Sequence, residues 1–208
     1  MTDLLPLNPD ELLTTTRAVR KRLDLDRPVP LEVVREALQV ALQAPSGGNR
    51  QGWHWIVLTD DEPKKRIAEL YARAHREVGR GRAEPADPAR ARIMSSSDHL
   101  REVMHRVPVL IIGAITVDEG ELPAGNQAGL WGSVLPAAWS LALALRARGL
   151  GTTWTTLHLR YEHEAAEILG VPPNVRQGVL LPVAYTKGRD FRRGPRVDLD
   201  EVVHVNHW

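Results

Sequence analysis

The stretch Ala44-Pro45-Ser46-Gly47-Gly48-Asn49-Arg50-Gln51-Gly52-Trp53 decides how the chain folds around it. Upstream, Leu31, Val34, Leu38, Ala41 and Leu42 are spaced for one buried face, and Pro30 can begin the helix, so a helix is expected over Leu31 to Gln43. Downstream, Trp53 to Thr59 reads as a strand. Pro45 stops the helix because it lacks an N–H and restricts the residue before it. Gly47 and Gly48 then open backbone angles closed to other residues. The loop is left with a hydroxyl (Ser46), two amides (Asn49, Gln51) and a guanidinium (Arg50). Such a set reaches a polar heteroaromatic edge with several donors and acceptors at once. Taken alone, the segment is equally an ordinary helix-to-strand connection.

Two basic runs flank this loop at long range. Asn8 and Asp10 can cap a first helix from Glu11 towards Val19, whose end carries Arg17-Ala18-Val19-Arg20-Lys21-Arg22. On a helix, Arg17 and Arg20 share a face and can share an anion. The same run also suits a solvated helix end, where cations complement the dipole. Near the other terminus lies Arg189-Asp190-Phe191-Arg192-Arg193-Gly194-Pro195-Arg196-Val197-Asp198, whose plain reading is a solvated basic turn.

The remaining elements alternate in type. Lys64 to Val78 reads as an exposed helix, and Gly79 to Pro88 is too rich in glycine and proline for regular structure. His99 to Arg106 completes another helix, and the apolar run in Val107 to Ala114 predicts a central strand buried on both faces. A long helix over about Ala128 to Arg148 is apolar nearly all round, which suits a core or a subunit interface. Most of the six tryptophans are expected in the core, Trp131 and Trp139 on this helix among them. Pro136 should kink it or mark its first turns. Gly149 is placed to end it in the left-handed conformation. Tyr161 to Leu169 reads as a short helix and Gln177 to Tyr185 as a strand, with Pro182 arguing for an edge or a bulge.

Composition removes several chemistries. The 208 residues carry a net charge of +1, which points to no nucleic-acid or acidic-membrane partner. The absence of cysteine removes disulfides, thiol catalysis and thiolate metal sites. His158 and His163 are five apart and no His-Glu-x-x-His occurs, so no metal is expected. No Gly-x-Ser-x-Gly elbow and no phosphate-binding Gly-Lys-Ser/Thr loop is present. Gly149-Leu150-Gly151 lacks the third glycine and the strand-before-helix context of a dinucleotide fingerprint. Met1 to Leu13 has no basic-then-apolar leader, and a cytoplasmic location is the expectation.

Four segments together resemble the FMN-dependent nitroreductase family, over nearly the whole chain. Pro45-Ser46-x-x-Asn49-x-Gln51-x-Trp53 is similar to its Pro-Ser-x-x-Asn-x-Gln-Pro-Trp loop, with Gly52 in place of proline. Arg17-Ala18-Val19-Arg20 resembles its Arg-Ser-x-Arg run, with Ala18 at the serine. Gly149-Leu150-Gly151-Thr152-Thr153-Trp154 resembles its Gly-Leu-Gly-x-x-Trp segment, and Arg189 to Asp198 its C-terminal basic motif.

The resemblance implies an α+β fold, a small mixed sheet flanked by helices, in one FMN-binding domain over 1–208 with a lid near 79–92. It implies an intertwined homodimer with FMN sites built from both chains, the tail from Val202 to Trp208 embracing the partner. Arg17, Ala18 and Arg20 would meet the ribityl and phosphate, and Pro45, Ser46, Asn49 and Gln51 the ring edge. The backbone of Trp154, Thr155 and Thr156 would pass near N5, and Arg193 and Arg196, or Arg192, would clamp the phosphate. Lys21 and Arg22 are expected to face solvent. The implied activity carries electrons from NADH or NADPH through FMN to a nitroaromatic or quinone-like acceptor, without an essential side-chain acid or base. A protein that stores or senses FMN, and a reductive enzyme acting on another aromatic substrate, are the alternatives.

Overall fold

The structure, a computed structural model, describes residues 2–80 and 87–208. Helices α1 (Pro9–Thr15) and α2 (Leu31–Ala41) lead into strand β1 (Trp53–Leu58). Then come α3 (Asp61–Gly79), α4 (Pro88–Val103), β2 (Val109–Thr116) and α5 (Ala128–Ala147). β3 (Leu150–Thr152), α6 (Glu162–Leu169) and β4 (Val175–Tyr185) complete the elements. The fold is α+β, with one sheet in the order β1-β2-β4-β3.

Every ladder between these strands is antiparallel. The parallel pairing that a mixed sheet requires is confined, among the described residues, to a bridge between Ala18 and Thr152. Alternation along the two central strands builds the core on both faces, as their continuous apolar runs demand. Leu110, Ile112, Leu180 and Ala184 meet Ile67, Tyr71, Leu100 and Met104 on one side. Val109, Ile111, Val179 and Leu181 meet Val34, Ala37, Leu141 and Leu145 on the other. Each fully buried side chain of this size contributes ~1.5–3 kcal/mol.

Three expectations are corrected here. α3 is not an exposed helix: Ile67, Ala68, Leu70, Tyr71 and Ala74 form its buried stripe, and even Lys64 is 5% exposed. Lys64 survives burial because its Nζ donates to Val107 O at 3.3 Å and pairs with Asp61. Pro182 lies in a central strand, not at an edge. Leu150–Thr152 pair with β4 down to Val183, and pairing resumes only at Thr155 with Leu180, so the side facing β3 asks no N–H of Pro182. A bulge does occur in this strand, but at Gly178 rather than at Pro182: Gly113 and Ala114 of β2 face Val179 and Gln177, and the register skips Gly178. None of the six tryptophans is fully buried, and Trp139 is 42% exposed.

α5 is long and apolar enough, by length and composition, to cross a membrane. Here Ala138, Leu141, Ala144 and Leu145 bury it against the sheet, and it continues through Pro136. Gly149 follows with φ of 77°, the left-handed turn that glycine permits. The expected lid near 79–92 is helical from Pro88 onward, and residues 81–86 of it lie outside the described residues.

Candidate functional site

Arg17 and Arg20 do not share a helix face. α1 stops at Thr15, and the Thr14, Thr15 and Thr16 hydroxyls each turn back to the carbonyl four residues earlier. Three consecutive β-branched residues of this kind are poor helix formers. The chain then runs extended along the sheet margin, where Ala18 bridges Thr152 and Val19 N donates to Thr152 O at 2.9 Å. Gly151 permits that approach, since a Cβ there would stand 2.6 Å from Thr186 Cγ2 and 3.0 Å from Val19 Cβ.

This placement turns Arg17, Ala18 and Arg20 into a cavity of about 830 Å³, closed on its far side by Arg192, Arg193 and Pro195. Gly194 lies under the Arg17 guanidinium, and a Cβ at that position would fall 1.9 Å from Arg17 Nη1. Arg17 Nη1 also donates to Arg192 O at 3.4 Å. Lys21 is exposed and Arg22 partly so, and both make surface contacts: Lys21 Nζ reaches Ser95 Oγ at 2.8 Å, and Arg22 pairs with Asp190 at 2.8 Å. Arg20 Nη1 donates to Ser96 Oγ at 3.3 Å. Burial lowers the Arg20 pKa, opposed by neighbouring Tyr71. Arg92 adds a further cation, and Asp190 is the one carboxylate on the wall among the described residues. Among the described residues Arg196 does not line it; its Nη1 donates to the adjacent Pro195 O at 2.8 Å.

The amide loop forms a different cavity. Gly48, Asn49 and Gln51 have φ of 59°, 52° and 51°. For Asn49 and Gln51 this left-handed region costs ~1–2 kcal/mol per residue. Hydrogen bonds hold it: Gln51 N donates to Ser46 Oγ at 3.1 Å and Gln51 Nε2 to Asn49 Oδ1 at 3.0 Å. Gly47 N donates to Ser133 Oγ on α5 at 3.0 Å. Pro45 precedes this knot without lining the cavity of about 470 Å³ that Arg50, Gln51, Ile115, Asp118, Leu130 and Ser133 help to enclose. The two cavities share no lining residue.

Between Gly151 and α6, Thr155 N donates to Leu180 O at 3.1 Å, so its N–H is committed to the sheet. Trp154 is 38% exposed and Thr156 is exposed. His158 follows, fully buried, with neither ring nitrogen hydrogen-bonded. Burial pushes its pKa down to about 4, opposed by neighbouring Gln177. The folded value lies below the unfolded 6.5, so the unfolded chain binds the extra proton. Stability is therefore full above pH ~6.5 and falls as pH drops towards 4, by about 1.4 kcal/mol per pH unit inside that window. Urea unfolding at pH 7.5 and 5 should show this loss in the wild type and a smaller one in His158→Leu.

Several cradle residues were missed in the sequence. Ser95, Ser96 and Arg92 sit on α4, whose Ala-Arg-Ala-Arg start and three consecutive serines gave no cue to a distant basic run. Arg146 and Phe191 were hidden differently: one inside an apolar helix, the other as the single phenylalanine of the chain.

Taken together, the antiparallel sheet, the basic cradle and the amide loop define an α+β protein with a cavity lined mainly by cations. The Nitroreductase family model matches residues 13–185, and the chain belongs to that family. It is 25% identical over 201 residues to an Archaeoglobus fulgidus protein named as an NADH dehydrogenase/NAD(P)H nitroreductase, covering 95% of this chain and 97% of that one. It is 29% identical over 179 residues to the iodotyrosine deiodinase of Thermotoga neapolitana, covering 83% and 86%. Among solved structures, an oxidised iodotyrosine deiodinase bound to FMN and 3-iodo-L-tyrosine superposes with a TM-score of 0.74 at 23% identity, over 96% of this chain and 99% of that one.

Proposed function

We propose that this chain is an FMN-dependent oxidoreductase that takes electrons from NADH or NADPH and passes them to a nitroaromatic or quinone-like acceptor, the two reactants using one site in turn. The observation that carries the reading is the cradle: Arg17, Arg20, Arg192 and Arg193 line one cavity, with Gly194 beneath Arg17 and, among the described residues, a single carboxylate. Such a wall fits a dianionic phosphate, which guanidinium groups grip with paired, charge-assisted bonds.

Bound FMN would supply the redox chemistry, accepting a hydride equivalent and releasing electrons to the acceptor. The chain's own part is binding and electrostatics. Arg17, Arg192 and Arg193 hold the phosphate, and Ala18 keeps the backbone close where a serine would add a hydroxyl. Arg196 joins them only if the tail moves. Arg20, braced by Ser96, offers positive charge where the reduced ring becomes negative. Ser46, Asn49 and Gln51 present amide and hydroxyl groups on a strained loop, and Pro45 fixes its entry. Trp154 and Thr156 are exposed, with Thr155 anchoring them to β4. That exposure supports turnover over storage, since storage needs no acceptor access.

Because the cradle and the loop line separate cavities, the reading pairs the cradle of one copy with the loop of a second in a homodimer. The exposed apolar tail, with Val205 77% and Trp208 102% exposed, supports such an embrace. The single chain 1–208 is read as one FMN-binding domain working in the cytoplasm, without metal, nucleic acid or membrane. A second reading, reductive dehalogenation of an aromatic amino acid, is favoured by the deiodinase likeness. Anaerobic mixing tests both. NADH or NADPH should bleach the flavin, and either a nitroaromatic or 3-iodotyrosine should restore its colour. A flavin that neither nucleotide reduces contradicts the first reading, and one that dithionite reduces and only 3-iodotyrosine reoxidises establishes the second.

A further inference from the structure

Arg146 stands in the last turn of α5 at 3% exposure. No carboxylate pairs with it among the described residues, whereas Arg148, two positions on, is paired with Glu36 at 3.6 Å. Its Nη2 donates to Arg189 O at 3.0 Å, while Nε and Nη1 find no acceptor. Its guanidinium carbon lies 4.7 Å from the centre of the Phe191 ring, and that of Arg22 lies 4.3 Å from the same ring. Arg22 also grips Lys187 O at 2.8 Å and Asp190 O at 3.3 Å. Phe191 is itself part of the cradle wall.

A buried guanidinium without a counter-charge opposes folding, and a second cation nearby makes it worse. Such a group is costly to the empty protein. We infer that Arg146 is a positioning residue of the anion cradle: with Arg22 it clamps Phe191 and the strap from Lys187 to Pro195, and the phosphate of the ligand balances its charge. The strap so held keeps Gly194 beneath Arg17 and Arg192 and Arg193 on the wall. Arg146 needs no contact with the ligand to do this. The inference rests on the FMN reading, and it separates stability from affinity. Removing the buried charge relieves the empty protein while weakening its hold on a dianion.

The test compares full-length, flavin-free wild type with Arg146→Met, which keeps the length of the side chain and drops the charge. Melting temperature is read without ligand, and dissociation constants are measured for FMN and for riboflavin, which lacks the phosphate. Expected are an unliganded melting temperature no lower than wild type, FMN affinity reduced on the order of tenfold, and riboflavin affinity unchanged. Arg146→Lys should restore most of the preference for FMN. Phe191→Leu, which leaves Arg146 charged and removes the clamped ring, should also lower that preference. An unchanged FMN-to-riboflavin ratio in both Arg146→Met and Phe191→Leu overturns the inference. So does an equal loss for both flavins with a lower melting temperature, the signature of a purely structural residue. If the wild type itself binds FMN no better than riboflavin, the FMN reading fails first.

Discussion

Gly151→Val is expected to cost the protein both stability and its cofactor. The first atom of the new side chain would fall 2.6 Å from Thr186 Cγ2 and 3.0 Å from Val19 Cβ, so the strand margin must part. Overpacking of this kind costs ~1–3 kcal/mol. In a chain of this length that is roughly 3–10 °C in melting temperature. The larger effect is local: Val19 is displaced, the Ala18–Thr152 bridge opens, and Arg17 and Arg20 leave the cavity. FMN affinity should fall at least as far as when one guanidinium is removed. Gly132→Ala on α5 is the control, since nothing lies within 4 Å of its added Cβ and a helical glycine gains from alanine. A Gly151→Val protein that melts and binds flavin like wild type would show that the basic segment does not depend on this approach.

Gly151 also illustrates what the sequence could and could not tell. The loop after α2, the left-handed Gly149 and the doubly buried central strand β2 were legible, because local backbone chemistry and apolar runs determine them. The conformation of Arg17 to Arg20 was not. A helical reading extrapolated α1 through Thr14, Thr15 and Thr16, where back-bonded hydroxyls and a bridge to Thr152 end it. α3 misled through its many charges, which conceal the spacing of Ile67, Leu70, Tyr71 and Ala74. Pro182 misled because the gap in pairing that tolerates it belongs to another segment, Thr153 and Trp154. Arg146 could not have been found at all from a window of sequence. Its role depends on Phe191, forty-five positions away, and on the lack, among the described residues, of a carboxylate paired with it.

Removing Arg17 and Arg193 together should have the largest effect on cofactor binding. Both face the same cavity from opposite ends of the chain, and Gly194 ties one to the other. Charge-assisted hydrogen bonds are about twice as strong as neutral ones, and two lost from one phosphate amount to roughly a hundredfold or more in affinity. The pair is close enough that the losses need not add. Riboflavin, with no phosphate, should bind the double alanine variant about as well as it binds wild type. The checking measurement is a fluorescence titration of both flavins into flavin-free protein. Equal weakening of both would move the phosphate grip away from this cavity.

The same variant supplies the measurement that bears most directly on the shared FMN site. Arg17→Ala/Arg193→Ala damages the cradle, and Asn49→Ala/Gln51→Ala damages the amide loop on the other cavity. Each variant alone should bind FMN poorly. Co-refolded, their mixed dimers carry one site with both halves damaged and one with an intact cradle from one chain and an intact loop from its partner. The account predicts that tight FMN binding returns to the mixture, at one site per mixed dimer. If mixed dimers form and no tight site appears, the cradle and the loop serve one chain alone and the shared-site account is contradicted.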